Sequence, residues 1–179
     1  NLTKALDETV QRERTVIMVI ADHGRTQERY DLQPTPELSR RFRRSCLETP
    51  LVLAGSGDGR PLRAGLRDSR DIGATLLDRV GLAIPDGYRG RSVLSSPPRR
   101  AVVSENAGRG YCDLERDDLN FAVTGPSDKL LAVLHGSELH VTDLHDLDED
   151  PDELTNLAGK PGESKRAAHL LEFLWQKRG

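Results

Sequence analysis

The pattern of apolar and polar positions up to Gly24 spells a helix, a strand and a polar turn. Leu2, Leu6 and Val10 recur every four residues, with Lys4, Asp7, Glu8, Gln11 and Arg12 between them, which predicts an amphipathic helix. Thr15 to Ala21 is an almost unbroken β-branched and apolar run, as expected of a strand covered on both faces in a parallel sheet. It ends in Asp22, His23 and Gly24. Helix, buried strand and polar tripeptide in that order belong to an α/β sheet, where ligands sit beyond the carboxyl ends of strands.

Residues 24–48 are polar, rich in Arg and broken by Pro34 and Pro36, which predicts a long excursion with a short helix over 37–44. Pro50 to Ala54 reads as a second short buried strand, followed by a glycine-rich loop to Gly59. Ser69 is placed to cap a helix in which Ile72, Leu76 and Val80 share a face, and Gly81 is placed to end it. From Ala101 the texture changes to short strands over 101–105, 120–124, 129–135 and 138–144. The last two form a hairpin through Gly136 and Ser137. Ala167, Leu170, Leu171 and Leu174 repeat at helical spacing and predict a closing helix to Lys177. The expected fold is therefore α/β over residues 1–100, with a mostly parallel sheet and covering helices. A small antiparallel β subdomain with a C-terminal helix is expected over 101–179.

Composition narrows the function classes. Lys and Arg number 26 against 29 Asp and Glu, a net charge of -3 that gives no reason to expect nucleic acid or a membrane surface as partner. No stretch is long and apolar enough to span a membrane. Hydrophobic residues make up 36% and aromatics 4% of the 179 residues, lean for a self-sufficient domain and suited to a piece that packs against further chain. Cys46 and Cys112 are too few and too far apart for a disulfide framework or a structural zinc site.

Asp22 and His23, at the lip of a predicted strand, are the candidate metal ligands. A carboxylate offers hard oxygen to Ca²⁺, Mg²⁺ or Mn²⁺, and an imidazole widens the choice toward Mn²⁺, Fe²⁺ or Zn²⁺. As a bare tripeptide, Asp-His-Gly is equally the composition of a solvated turn.

The order of segments around it resembles the C-terminal half of sulfatases, in the alkaline phosphatase-like superfamily. A strand ending in Asp22-His23-Gly24 is followed by Thr49-Pro50-Leu51-Val52-Leu53-Ala54-Gly55. Then come Asp71-Ile72-Gly73-Ala74-Thr75-Leu76-Leu77-Asp78-Arg79-Val80-Gly81 and Pro85, Gly90, Arg91 and Ser92. Near the end, Leu144-His145-Asp146-Leu147 and Asp150-Pro151-Asp152-Glu153-Leu154-Thr155-Asn156-Leu157 are similar to a family block in which Tyr is usual at the place of His145.

The resemblance implies an alkaline phosphatase-like core fragment whose Asp22 and His23 bind a divalent metal, calcium first and Mn, Mg or Zn as alternatives. It implies that two further Asp ligands and the nucleophile come from an N-terminal half of the same enzyme, so that no catalytic nucleophile lies in this chain and the chain alone is inactive. Cys46 and Cys112 both miss the Cys-x-Pro-x-Arg modification motif: Cys46 has Glu48 and Pro50 at the decisive places, and Cys112 has Leu114. The implied substrate is an anionic ester, a sulfated sugar or aryl sulfate. Where the family often has Lys between the metal pair and the Pro-Leu strand, this chain has only Arg. Arg40 and Arg44 are candidate contacts to the ester, with a solvated helix face as the alternative. Arg109, in the segment Ser104 to Tyr111, is a third candidate, with a plain turn as the alternative.

The missing Lys leaves phosphodiesterase, phosphonate hydrolase and phosphoglycerol transferase activities open beside sulfate ester hydrolysis, and a truncated non-catalytic binding module is a further reading. His135, His140, His145 and His169 have no partner at metal spacing and are expected to be structural or exposed. Residues 143–153 are expected to form a solvated acidic loop.

Overall fold

The computed structural model describes residues 2–9, 12–25, 42–55, 59–107 and 118–178. It divides into two compact units, one formed by residues 1–22 and 49–99, the other by residues 23–48 and 100–179.

In the first unit, α1 (Leu2–Glu8) leads through a short 3-10 turn (Arg12–Arg14) into β1 (Val16–Ile20), which pairs with β2 (Leu51–Gly55). The pairing is antiparallel, with Val16 opposite Gly55 and Ile20 opposite Leu51. This corrects the parallel sheet expected here, since a run such as Val-Ile-Met-Val-Ile reports burial and is silent on strand direction. Nor is β1 covered on both faces: Val19 and Ile20 are 54% and 44% exposed and Val52 is 53% exposed.

The helix α2 (Asp71–Arg79) forms where predicted, but its buried face is Asp71, Ala74, Thr75 and Arg79. Leu76 and Val80, expected to point inward, are exposed. Polar bonds explain the inversion, because Asp71 is gripped by Arg99 and accepts Arg91 N (2.8 Å) and Asp68 N (2.9 Å). Ser69 supplies no side-chain cap; Arg70 is the preceding residue. Gly81 does terminate the helix, at φ 74°.

The second unit carries the hydrophobic core. Its strands β3 (Val102–Ala107), β4 (Asp118–Thr124), β5 (Asp128–His135) and β6 (Glu138–Asp146) form an antiparallel sheet in chain order. The turn at Gly136 (φ 58°) and Ser137 joins β5 and β6 as predicted. Alternation along the strands sends Phe121, Val123, Leu130, Ala132 and Leu134 to one face. There they pack with Leu144 and with Leu170 and Leu174 of α4 (Ser164–Arg178). Ala122 and Leu131, on the other face, pack on Phe42, with Leu47 at the margin. Leu47 closes α3 (Arg44–Leu47). Two covered faces explain why β5 reads as the near-continuous run Leu-Leu-Ala-Val-Leu.

The expected solvated acidic loop is in part interior. Asp143 and Glu153 are 7% and 3% exposed. Lys129, fully buried, donates from Nζ to both oxygens of Glu153 (3.0 and 2.9 Å) and to the Phe42 carbonyl. Glu153 adopts φ 56°, rare for a non-glycine residue, and also accepts the Arg44 backbone N–H at 3.0 Å. Arg43 reaches the carbonyls of Asp152 and Glu153, each at 2.6 Å. Nearby, Asn156 Oδ1 accepts Leu144 N (3.1 Å) and Ala158 N (2.8 Å), while its Nδ2 donates to Thr142 O (2.9 Å).

Burial pushes the Lys129 ammonium below its usual range, against the pull of Glu153. Replacing Lys129 by Met leaves Glu153 buried without its cation, and a loss of about 3–5 kcal/mol is expected in urea unfolding. The double variant K129M/E153Q is expected to recover part of that loss, because no charge is then stranded.

Burial likewise lowers the pKa of His145, whose Nδ1–H donates to Thr155 O at 3.0 Å. A neutral buried imidazole takes up a proton less readily than the same group in the unfolded chain. Its contribution is therefore complete above the ordinary value of 6.5 and is lost as pH falls below it. Thermal melting is expected to fall between pH 7 and 5, and to fall less steeply in His145→Asn, which keeps a donor toward Thr155 but does not titrate.

Candidate metal centre

Beyond β1 the chain turns polar at Asp22 and His23, both exposed. The following backbone is tied down by Gly24 N to Cys46 O and Arg25 N to Ser45 O, each 2.8 Å. A Cβ at Gly24 would collide with the Ser45 carbonyl, so only glycine permits this approach.

His23 Nδ1 lies 2.7 Å from Gly24 O. A carbonyl only accepts, so Nδ1 carries the proton and the lone pair of the neutral ring is on Nε2. This fixed tautomer, with the second ring N–H on a backbone carbonyl, is the usual state of a metal-ligating histidine. The exposed carboxylate of Asp22 adds a hard oxygen donor.

Among the described residues, no group of three or more His, Cys, Asp or Glu side chains is placed to hold a metal ion. Two donors fall short of the six to eight oxygens of calcium or the four ligands of zinc. By donor type, Asp22 and His23 could supply only part of a coordination shell.

The candidate substrate contacts are placed unevenly. Arg40 and Arg109 lie outside the described residues, as does Cys112. Arg44 is described, and its Nε donates to Glu48 Oε1 at 2.7 Å, a bond that raises its already high pKa. His135, His140 and His169 are exposed and His145 is buried.

The other sequence blocks prove to be architectural. Thr75 Oγ1 donates to Asp71 O (2.6 Å) and accepts Val93 N (3.1 Å), which seats the segment after Gly90 against α2. At the far end of α2, hydrogen bonds from Arg60 and then Ser92 hold the Asp78 carboxyl at about 2. Nothing in the spacing of these residues disclosed their partners, because Arg60, Arg91 and Arg99 are distant in sequence and unremarkable in type.

No family model matches the sequence, and no curated protein does. Solved structures do match. A protein from Bacteroides thetaiotaomicron VPI-5482 classed as a sulfatase shares 27% identity at a TM-score of 0.77, over 97% of this chain and 38% of its own. A 2-O GAG sulfatase shares 25% identity at a TM-score of 0.74, over 97% and 38%. A third structure, in complex with its substrate D-glucosamine-2-N,6-O-disulfate, shares the fold at 19% identity and a TM-score of 0.72, over 99% and 36%. This chain thus spans little more than a third of the proteins it matches, and motif order and backbone fold agree that it resembles the sulfatase family.

Proposed function

We propose that this chain is the C-terminal portion of a sulfatase-like hydrolase of sulfate esters, to which it contributes Asp22 and His23 as ligands of a divalent cation. Calcium is the first choice, with Mn, Mg and Zn as alternatives. The observation that carries the reading is the His23 ring held by Gly24 at a strand end, in a chain that follows sulfatase structures over 97% of its length.

Bound there, the cation would neutralise the ester oxygens and orient the group under attack. Asp22 would supply negative charge to it and His23 a directed nitrogen lone pair. The remaining ligands and the nucleophile belong to an N-terminal half. The bare apolar side chains of the first unit suit such an arrangement: Val19, Ile20, Val52, Val80 and Leu82 (60% exposed) are surfaces that further chain would cover.

Arg40, Arg44 and Arg109 would meet the anionic oxygens of the substrate, a sulfated sugar or an aryl sulfate, with Arg44 exchanging Glu48 for it. The absence of Lys between His23 and Pro50 favours, as a second reading, a phosphodiesterase, phosphonate hydrolase or phosphoglycerol transferase on the same scaffold.

Calorimetry with calcium and turnover of paired aryl sulfate and aryl phosphonate substrates test this on the complete enzyme. One tight equivalent of calcium is expected, weakened at least about tenfold in Asp22→Ala and in His23→Ala. The 179-residue chain alone is expected to bind calcium weakly and to be inactive. Unchanged calcium affinity in both variants would sink the metal assignment, and a strong preference for the phosphonate would move the activity to the second reading.

A further inference from the structure

The net charge of -3 conceals a strong local imbalance. Between Gly59 and Arg99 the chain has eight arginines, no lysine and four aspartates. Three of the aspartates are already engaged by arginine: Asp78 by Arg60, Asp68 by Arg70 and Asp71 by Arg99. Among the described residues, Arg63, Arg67, Arg89 and Arg91 have no carboxylate partner.

The backbone gathers these positions. Arg63 N donates to Val93 O (3.0 Å), which sets Arg63 two residues from Arg91. Arg91 N donates to the Asp71 carboxylate that Arg99 grips, and Arg99 Nη2 also reaches the Arg89 carbonyl at 3.3 Å. Arg67 sits among them on main-chain oxygens alone, with Nη1 on Ser96 O (3.3 Å) and Pro97 O (3.2 Å) and Nη2 on Arg63 O (3.0 Å). Its charge is therefore oriented but not neutralised. Burial first, then the positive charges of Arg99 and Arg63, depress its pKa, with Asp71 opposing. Arg63, Arg89 and Arg91 are exposed.

We infer that this arginine patch is a binding surface for a sulfated polysaccharide, made of residues other than the proposed metal ligands. It rests on the reading of the chain as part of a sulfate ester hydrolase, which makes a sulfated sugar chain the anionic polymer at hand. Guanidinium groups suit it because their planar fork binds oxyanions in pairs of hydrogen bonds, and they are weakly hydrated and always charged. Net charge does not separate this polymer from nucleic acid, so duplex DNA is the competing polyanion in the test.

The test is binding of a size-defined heparin oligosaccharide to the full-length protein, by calorimetry over a range of salt. The triple variant R63A/R89A/R91A is expected to bind at least roughly tenfold more weakly. Its plot of log affinity against log salt should be shallower by about 3, near one unit per lost cation. The variant R63K/R89K/R91K keeps the charge without the fork and should lie between the two. K160A/K165A, which removes exposed cations of the other unit, should bind as the native protein does, and so should a desulfated oligosaccharide be ignored by all.

His23→Ala separates the two readings, since it should lose calcium yet keep the oligosaccharide. Native-like binding by both arginine variants would overturn the patch whatever the calcium result, as would equal weakening in K160A/K165A. Duplex DNA binding as tightly as the oligosaccharide would overturn the polysaccharide assignment.

Discussion

The second unit is organised around one buried ion pair. Lys129 and Glu153 are 0% and 3% exposed, and removing two such charges from water is favourable only when every donor and acceptor is matched. The matching recruits distant segments, because the same ammonium holds the Phe42 carbonyl and the same carboxylate caps the Arg44 amide. Phe42 then covers Ala122 and Leu131, the face of the sheet opposite α4. The segment around Phe42 and Arg44, the sheet and the acidic segment are thereby bound to one charge pair, and the left-handed backbone of Glu153 is part of its geometry.

The first unit is built on another principle. Its buried side chains include Asp71, Thr75, Arg79 and Ser92 beside Ala74, Val93 and Leu94, while Val19, Ile20, Val52, Val80 and Leu82 stand at the surface. Arginine–aspartate pairs and main-chain bonds hold the segment from Arg60 to Arg99 together. Such a unit has shape without having buried much oil, which agrees with a chain that spans little more than a third of the sulfatase structures it matches. The acidic partners consumed inside it leave an excess of arginine charge outside. Construction and surface chemistry are in that sense one fact.

Asp22 and His23, the proposed metal ligands, follow β1 where backbone bonds tie down the chain from Gly24 onward. Gly24 lets the strand exit approach Ser45 and Cys46, and its carbonyl sets the His23 tautomer. Both side chains are exposed. On the proposed reading, a hard cation bound there would need further carboxylates.

Much of this could be read from residue order. The β5–β6 hairpin, the closing helix, the strand before Asp22 and the family likeness follow from alternation, helical spacing and motif order, which are local properties that a string of residues carries directly. The direction of β1 against β2 was illegible, since a fully apolar run looks alike in either pairing. The buried face of α2 lies outside such a pattern: Ile72, Leu76 and Val80 follow helical spacing, while the inward face is chosen by Asp71 and its arginines, up to 28 residues away. Likewise, residues 143–153 look like a solvated acidic stretch until Lys129 is seen to lie inside it. Local pattern determines which elements form; which polar groups go inside is settled only when distant charges meet, because an ion is buried where its partner is and nowhere else.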